Sequence, residues 1–297
     1  MSVIGVFGPT ASGKSDVAAA ITELIPAEVV SADAMQVYDG LPILTNRAHH
    51  PERLVGIWPL SHVASVGEYA LLAHSVIDEI LAGGRTPLVV GGTGLYFRAA
   101  LAELRLPPAP APGARERWER LYDESGAEAA HTQLSVLDEA AAARIHPNDR
   151  RRVVRALELT DGGRSLVPQR DALFGGAWRH PTLVVGLDVP KPELDWRIAD
   201  RARRMFDEGV EREVREARSA ELSTTAGKII GLDEVASLPR EEAIEALIAR
   251  TRRYAAYQRK WLRRLERLVI VAADRPPEET AAEIVALART RERLPCT

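Results

Sequence analysis

The chain reads as an α/β protein: a parallel sheet flanked by helices and interrupted by an all-helical insertion. Three observations predict this. Five short apolar runs rich in β-branched residues alternate with helical patterns. A glycine-rich loop joins the first run to the first helical stretch. A proline-rich segment then opens a long stretch that is helical in pattern and holds no strand candidate.

The first strand is residues 2–7, and it leads into Gly8-Pro9-Thr10-Ala11-Ser12-Gly13-Lys14-Ser15. That octet fits the phosphate-loop pattern G-x-x-x-x-G-K-[ST] at every fixed position. A helical stretch over 14–24 follows, so the loop has its proper context. Gly8 and Gly13 permit the tight turn that aims successive N–H groups at an anion, and the helix adds its positive end. Lys14 supplies a point charge to phosphate oxygens, and Ser15 offers a hydroxyl to Mg2+. This makes the sheet P-loop NTPase-like. It says that a ligand with two or more phosphates binds, and leaves open what is done with it.

The second strand, 28–31, ends in Ala32-Asp33-Ala34-Met35-Gln36-Val37-Tyr38. Ligands of open α/β sheets sit at the carboxyl ends of the strands, so Asp33 shares a rim with the phosphate loop. Position alone leaves three roles for it: metal ligand, general base, or a solvated turn or cap. Gln36 is either a surface amide or a donor to a nucleobase edge. A helix over 67–82 precedes the third strand, 87–90, which ends in Gly91-Gly92-Thr93-Gly94-Leu95-Tyr96. Many nucleotide hydrolases place an Asp there to hold Mg2+. Its absence argues against a standard ATPase engine, with Asp188 and Asp274 as possible substitutes further on. Thr93 offers a cleft hydroxyl, a helix cap, or both.

After a helix over 94–102, four prolines fall within 107–112, the composition of a stiff linker. Residues 113–160 are helical in pattern, and a turn-rich stretch runs to Gly176. The expected domains are therefore a core of 1–111 with 177–297, and an insertion of 112–176. Asn148 or Asp149 caps the helix that carries Arg151, Arg152, Val153, Val154 and Arg155. Arg151 and Arg155 lie four apart on one face, suited either to a nucleic-acid backbone or to solvent. Strands at 182–187 and 268–271 and helices at 193–218 and 241–266 complete the sheet layer. Arg197 and Arg201 are likewise four apart, placed to close over phosphates or to face water. Residues 250–267 carry eight basic side chains and one acid, the densest positive patch. The stripe Tyr254, Tyr257, Trp261, Leu265 and Leu268 that runs along it reads as core.

The composition is that of a soluble globular protein, with 46% apolar and 27% charged residues among 297. A net charge of −3 gives no global nucleic-acid signature, so such binding must be local. Basic residues are 35 Arg to four Lys, which suits bidentate phosphate contacts or reflects GC-rich coding. The single Cys296 excludes a disulfide framework and a cysteine metal site. No secretory signal and no 18-residue apolar run is visible, so a cytoplasmic protein without a membrane partner is expected.

Taken together, the phosphate loop, Ser31-Ala32-Asp33-Ala34-Met35-Gln36-Val37-Tyr38, Gly91-Gly92-Thr93-Gly94-Leu95-Tyr96, Arg144-Ile145-His146-Pro147-Asn148-Asp149-Arg150 and Thr251-Arg252-Arg253-Tyr254 with Trp261 resemble one family. It is the tRNA dimethylallyltransferases, or isopentenylpyrophosphate:tRNA transferases. The resemblance spans nearly the whole chain. It implies transfer of a dimethylallyl group from its diphosphate to N6 of adenosine 37, beside the tRNA anticodon. The phosphate loop, with Arg197 and Arg201, would then hold the diphosphate and Mg2+ would sit on Ser15. Asp33 would accept the N6 proton with Thr93 beside the reacting centre, and Asp33, Ala34, Met35 and Gln36 would line the path of the flipped base. Arg115 and residues 151–155 match positions where the family's insertion touches the anticodon stem-loop. The chain departs from the family pattern at Glu52-Arg53-Leu54-Val55, where many members carry a Pro-His-His-Leu-type stretch. It departs again at Leu44-Thr45-Asn46-Arg47, for Gly-Thr-Ala-Lys, and at Leu232-Asp233, for Tyr-[Lys/Arg]. A small-molecule P-loop kinase and an adenylate isopentenyltransferase are the competing enzymes. A monomer is expected.

Overall fold

The computed structural model describes residues 2–47, 50–104, 111–166, 177–265 and 267–292. It divides into two compact units, one of residues 1–103 with 176–297 and one of residues 104–175. The expected linker at 107–112 and the turn-rich stretch up to Gly176 fall largely outside the described residues.

The larger unit begins with β1 (Val3–Phe7), α1 (Lys14–Leu24), β2 (Ala27–Ser31), β3 (Glu52–Arg53), α2 (Val66–Ala82), β4 (Thr86–Gly91) and α3 (Gly94–Leu101). The smaller unit holds α4 (Ala114–Ser125), α5 (Ala127–Leu137), α6 (Glu139–Ala142) and α7 (Arg150–Thr160). The larger one resumes with β5 (Thr182–Asp188), α8 (Lys191–Asp207), α9 (Val210–Ser219), α10 (Leu232–Ser237), α11 (Arg240–Leu262), β6 (Val269–Ala272) and α12 (Pro277–Glu292). The six strands form one parallel sheet in the order β3-β2-β4-β1-β5-β6.

The α/β expectation holds, and the reason is burial. All five residues of β1 are buried, as are the last five of β4. A strand covered on both faces must be apolar throughout, which is why it reads as a continuous run. β3 was not visible in the sequence because it is a two-residue edge strand of charged residues. Arg53 there pairs with Glu28 at 3.1 Å and Glu79 at 2.9 Å, and charge on an edge discourages further pairing. The helix expected over 193–218 is two helices. Gly209 breaks it with φ of 96° and begins α9, a left-handed geometry natural to glycine. α12 was also not anticipated, although Pro277 opens it with Glu278 and Glu279 in its first turn.

In the sheet order, the first crossover runs from β1 toward β2, and β5 lies on the other side of β1. The carboxyl end of β1 is thus the topological switch point, where a crevice opens. Gly8 N–H donates to Gly91 O at 3.3 Å and Ala32 N–H to Val90 O at 2.7 Å, so the ends of β1, β2 and β4 are laced together. Close packing continues at α3: a Cβ on Gly94 would lie 2.0 Å from Trp261 Cδ2.

The smaller unit has its own core of Ala130, Leu134, Ala141, Ile145, Val153, Ala156 and Leu157, flanked by Trp118 and Tyr122. Asp149 caps α7, accepting from Arg152 N–H at 3.2 Å.

Replacing Gly94 with Ala drives a methyl into the Trp261 indole. The expected loss is about 1–3 kcal/mol of unfolding free energy, the scale for overpacking a well-filled site, read from the denaturation midpoint at constant m-value.

Candidate active site

The phosphate loop turns through two departures from ordinary backbone geometry. Ala11 has φ of 64° and Gly13 of 82°. For Ala11 this left-handed conformation is strained, and strain of that kind persists where the surroundings enforce it. Ser12 between them is fully buried, and its Oγ has no hydrogen-bond partner. Lys14 folds back so that Nζ donates to Pro9 O at 2.7 Å. Burial pulls the Lys14 ammonium down to about 8. Asp33 and Glu52 draw it back up, and Arg201 pushes it further down.

Two helices hold this loop from outside. Gln258 of α11, 1% exposed, accepts from Thr10 N–H at 2.7 Å. Arg201 of α8 donates to Thr10 Oγ1 at 2.6 Å. Burial lowers the Arg201 guanidinium to about 10, with Asp33 opposing the fall and Arg204 adding to it. Arg197, one turn earlier, donates to Glu193 at 2.7 Å and to Ala273 O at 3.4 Å.

Asp33 sits in the turn after β2, where its Oδ1 accepts from Met35 N–H at 2.9 Å. Such an Asx turn fixes the carboxylate relative to its own backbone. Ala34 N–H donates to Thr93 Oγ1 at 3.2 Å, and Thr93 Oγ1 also lies 3.2 Å from the Tyr254 hydroxyl. Thr93 occupies the N-cap position of α3 without a side-chain cap bond. Its hydroxyl instead joins the Asp33 turn to α11. Burial raises the Tyr254 phenol, Asp33 raises it further, and bonds to Thr93 and Gln258 pull it back.

Gln36 has its amide engaged on both sides. Its Oε1 accepts from Ser31 Oγ at 3.0 Å, and its Nε2 donates to Thr45 O and Asn46 O, each at 3.1 Å. It thereby pins the turn of residues 42–46, which Glu213 of α9 holds from the other end. The Glu213 carboxylate accepts from Ile43 N–H at 2.7 Å and Leu44 N–H at 2.8 Å.

A cavity of about 1120 Å³ connects these groups. One wall is the loop with Lys14, Asp33 and Arg201, and another is apolar, formed by Ile43, Leu44, Ile230 and Leu247. Glu52 also lines it. Burial pushes the Glu52 carboxyl above the ordinary range, His50 and Lys14 pull it down, and Asp33 adds to the rise. Loop backbone, cationic side chains and a carboxylate thus face an apolar wall in one cavity.

Comparison with known proteins places this arrangement. The model of the family described as IPP transferase matches residues 36–265. The chain belongs to the IPP transferase family. The tRNA dimethylallyltransferase of Thermobifida fusca (strain YX) is 40% identical over 295 residues, covering 93% of this chain and 91% of the relative. That of Corynebacterium jeikeium (strain K411) is 38% identical over 292 residues, covering 94% of each. Among solved structures, the tRNA isopentenylpyrophosphate transferase of Bacillus halodurans superposes with a TM-score of 0.70 at 30% identity, covering 98% of this chain and 96% of that one. The family is the one the sequence resembles.

Within this IPP transferase chain the structure brings Asp33, Thr93, the phosphate loop and Arg201 together. The insertion residues behave differently. Val153 and Val154 are 0% and 3% exposed, so their side chains pack inside. Arg115 donates to Glu158 at 2.9 Å and Arg155 to the same carboxylate at 2.7 Å. Arg151 and Arg152 are exposed. Tyr257, expected in the core, is 52% exposed. Asp188, a possible metal carboxylate, pairs with Arg259 at 3.0 Å, and Asp233 pairs with Arg218 at 2.7 Å. Gln258 was missed, although its spacing from Tyr254 and Trp261 sets it on their helix face.

The Lys14 ammonium gives a pH test. Above about pH 8 the free chain loses this proton, and an anion favours its return, so affinity for inorganic pyrophosphate should fall as pH rises through 8–9. Lys14→Arg, whose charge does not titrate in that range, should lack this part of the fall. Titration calorimetry at several pH values compares the two.

Proposed function

We propose that this chain transfers a dimethylallyl group from dimethylallyl diphosphate to N6 of adenosine 37 in tRNA, releasing diphosphate. The observation that carries the reading is the shared cavity, in which a phosphate loop and a fixed carboxylate face an apolar wall. A phosphoryl donor needs no such wall, whereas a five-carbon prenyl chain does.

In this reading the loop N–H groups, Lys14 and Arg201 bind the diphosphate. Their charge stabilises the leaving group as the allylic C–O bond breaks. Lys14 leaves Pro9 O to reach the phosphate oxygens, and the unpartnered Ser12 Oγ gains an acceptor. The apolar wall of Ile43 and Leu44 excludes water, which would otherwise compete with the amine for the allylic carbon. The target base leaves its stack to enter. Asp33 accepts the N6 proton as nitrogen bonds to carbon, and Thr93 with Tyr254 orients the adenine edge. Gln36 holds the cavity wall in place.

Magnesium suits the oxygen donors at the loop. Ser15 would hold it, with the diphosphate and water completing the shell. When bound, it supplies positive charge against the departing diphosphate. Among the described residues no cluster of three or more His, Cys, Asp or Glu could hold a metal alone.

The helical unit would grip the anticodon stem-loop through Arg151 and Arg152, with Arg115 and Arg155 fixed by Glu158. No described helix is long and apolar enough to cross a membrane. The reading carries a cytoplasmic setting and a monomer as its working unit.

The test uses labelled dimethylallyl diphosphate, Mg2+ and tRNA with three adjacent adenosines in its anticodon loop. Label should enter tRNA and not free AMP, and ATP should not be consumed. The absence of transfer to tRNA, or preferential transfer to AMP, overturns the reading. Asp33→Asn should slow the single-turnover rate about 10²–10⁴-fold while tRNA binding in a gel-shift assay stays near wild type.

A further inference from the structure

The apolar wall of the cavity is closed at one place. Leu44, in the turn of residues 42–46, and Leu247, on α11, both line it. Their branches meet over Gly231, which begins α10 with φ of 95°. A Cβ on Gly231 would lie 2.7 Å from Leu44 Cδ1 and 2.8 Å from Leu247 Cδ1. The two methyl groups therefore already fill the space that a side chain at 231 would need. Leu44 is 6% and Leu247 4% exposed, so little of either remains open to solvent.

The turn that carries Leu44 is held against displacement. Ile43 and Leu44 N–H donate to the buried Glu213 carboxylate, and Thr45 O and Asn46 O accept from Gln36. Thr45 also donates twice to Leu41 O, from its N–H at 3.0 Å and its hydroxyl at 2.6 Å. Moving Leu44 aside would leave such groups unpaired, which is costly away from water. The departures from the family pattern fall at the same spot. Leu44 stands where that pattern has glycine, and Leu232, next to Gly231, stands where it has tyrosine. Bulk that is missing at 232 is present at 44.

We propose that Leu44 sets the length of the prenyl donor in this chain. With Leu247 it ends the apolar wall after one isoprene unit, so longer allylic diphosphates are excluded. A diphosphate seated on the loop fixes one end of the donor, and the hydrocarbon end is measured against this stop. The proposal rests on the prenyl diphosphate reading above and adds the residue that selects among such donors.

The experiment titrates the full chain by calorimetry, with MgCl2 and without RNA, against dimethylallyl diphosphate and the ten-carbon geranyl diphosphate. Wild type should bind the longer donor about tenfold or more weakly, since one misfit methylene in a closed pocket is worth about 10–200-fold. Leu44→Ala should lose most of this discrimination by gaining affinity for geranyl diphosphate, and Leu247→Ala should move the same way. General loosening of the site would weaken both donors, whereas opening a stop strengthens the longer one. Leu44→Ile, of equal volume, should still discriminate. Equal binding of the two donors by wild type overturns the proposal. So does a folded Leu44→Ala that discriminates as wild type does, or a folded Leu44→Ile that does not discriminate. If Leu44→Ala does not fold, Leu247→Ala decides by the same measure. No acceptor is present, so these failures leave the transfer reading standing. Wild type that binds neither donor would overturn both.

Discussion

A phosphate loop must satisfy two opposed demands. Its N–H groups must stay unpaired so that an anion can take them, yet the loop must be rigid so that no ordering cost falls due on binding. Secondary structure cannot meet both, because a ladder would consume the donors. Here Thr10 resolves the conflict. Its backbone N–H goes to Gln258 and its hydroxyl to Arg201, so two helices distant in sequence brace the loop from its outer side. Ala11 is held in its strained conformation within that brace. The same helix that supplies Gln258 presents Tyr254 to Thr93, and Thr93 takes the N–H next to Asp33. Loop, carboxylate and hydroxyl are therefore positioned by one framework centred on α11.

The apolar side of the cavity is organised by the same logic with different parts. Residues 42–46 form no regular element, and a bare turn would be poor at holding a wall against water. Gln36 from the β2 side and Glu213 from α9 take up its backbone groups at both ends. Polar side chains thus act as scaffolding for an apolar surface. In the helical unit, Glu158 does comparable work on charged ones. Its fully buried carboxylate ties Arg115 of α4 and Arg155 of α7 to one point.

Legibility in the sequence followed burial and local chemistry. β1, β4 and β5 could be read because strands buried on both faces are apolar at every position. The phosphate loop could be read because its turn demands glycine at fixed places. Asp33 and Thr93 could be placed on one rim because both follow parallel strands. Gln258 could not, since a polar residue on a helix declares its partner only when the helix is packed. Glu52 stood out in the sequence only as a departure from the family pattern, and in the fold it lines the cavity. Val153 and Val154 entered the expected RNA contact through the family resemblance, and their side chains are buried. Gly209 carried the break between α8 and α9 in plain view, but periodicity on both sides hid it.

The braces on Thr10 also set an order of events during synthesis. The bond from Thr10 to Gln258 spans 248 residues, and β1 must wait for β5 to pair Val3 with Thr182. Such distant closures come late, because their entropy must be met before they contribute. The helical unit has its own core within residues 130–157 and can form while the chain is still emerging. A growing polypeptide therefore carries its phosphate loop near the beginning without a working grip until α11 has been made. Fragments ending before α11 would hold the motif and lack the brace that Gln258 gives to Thr10.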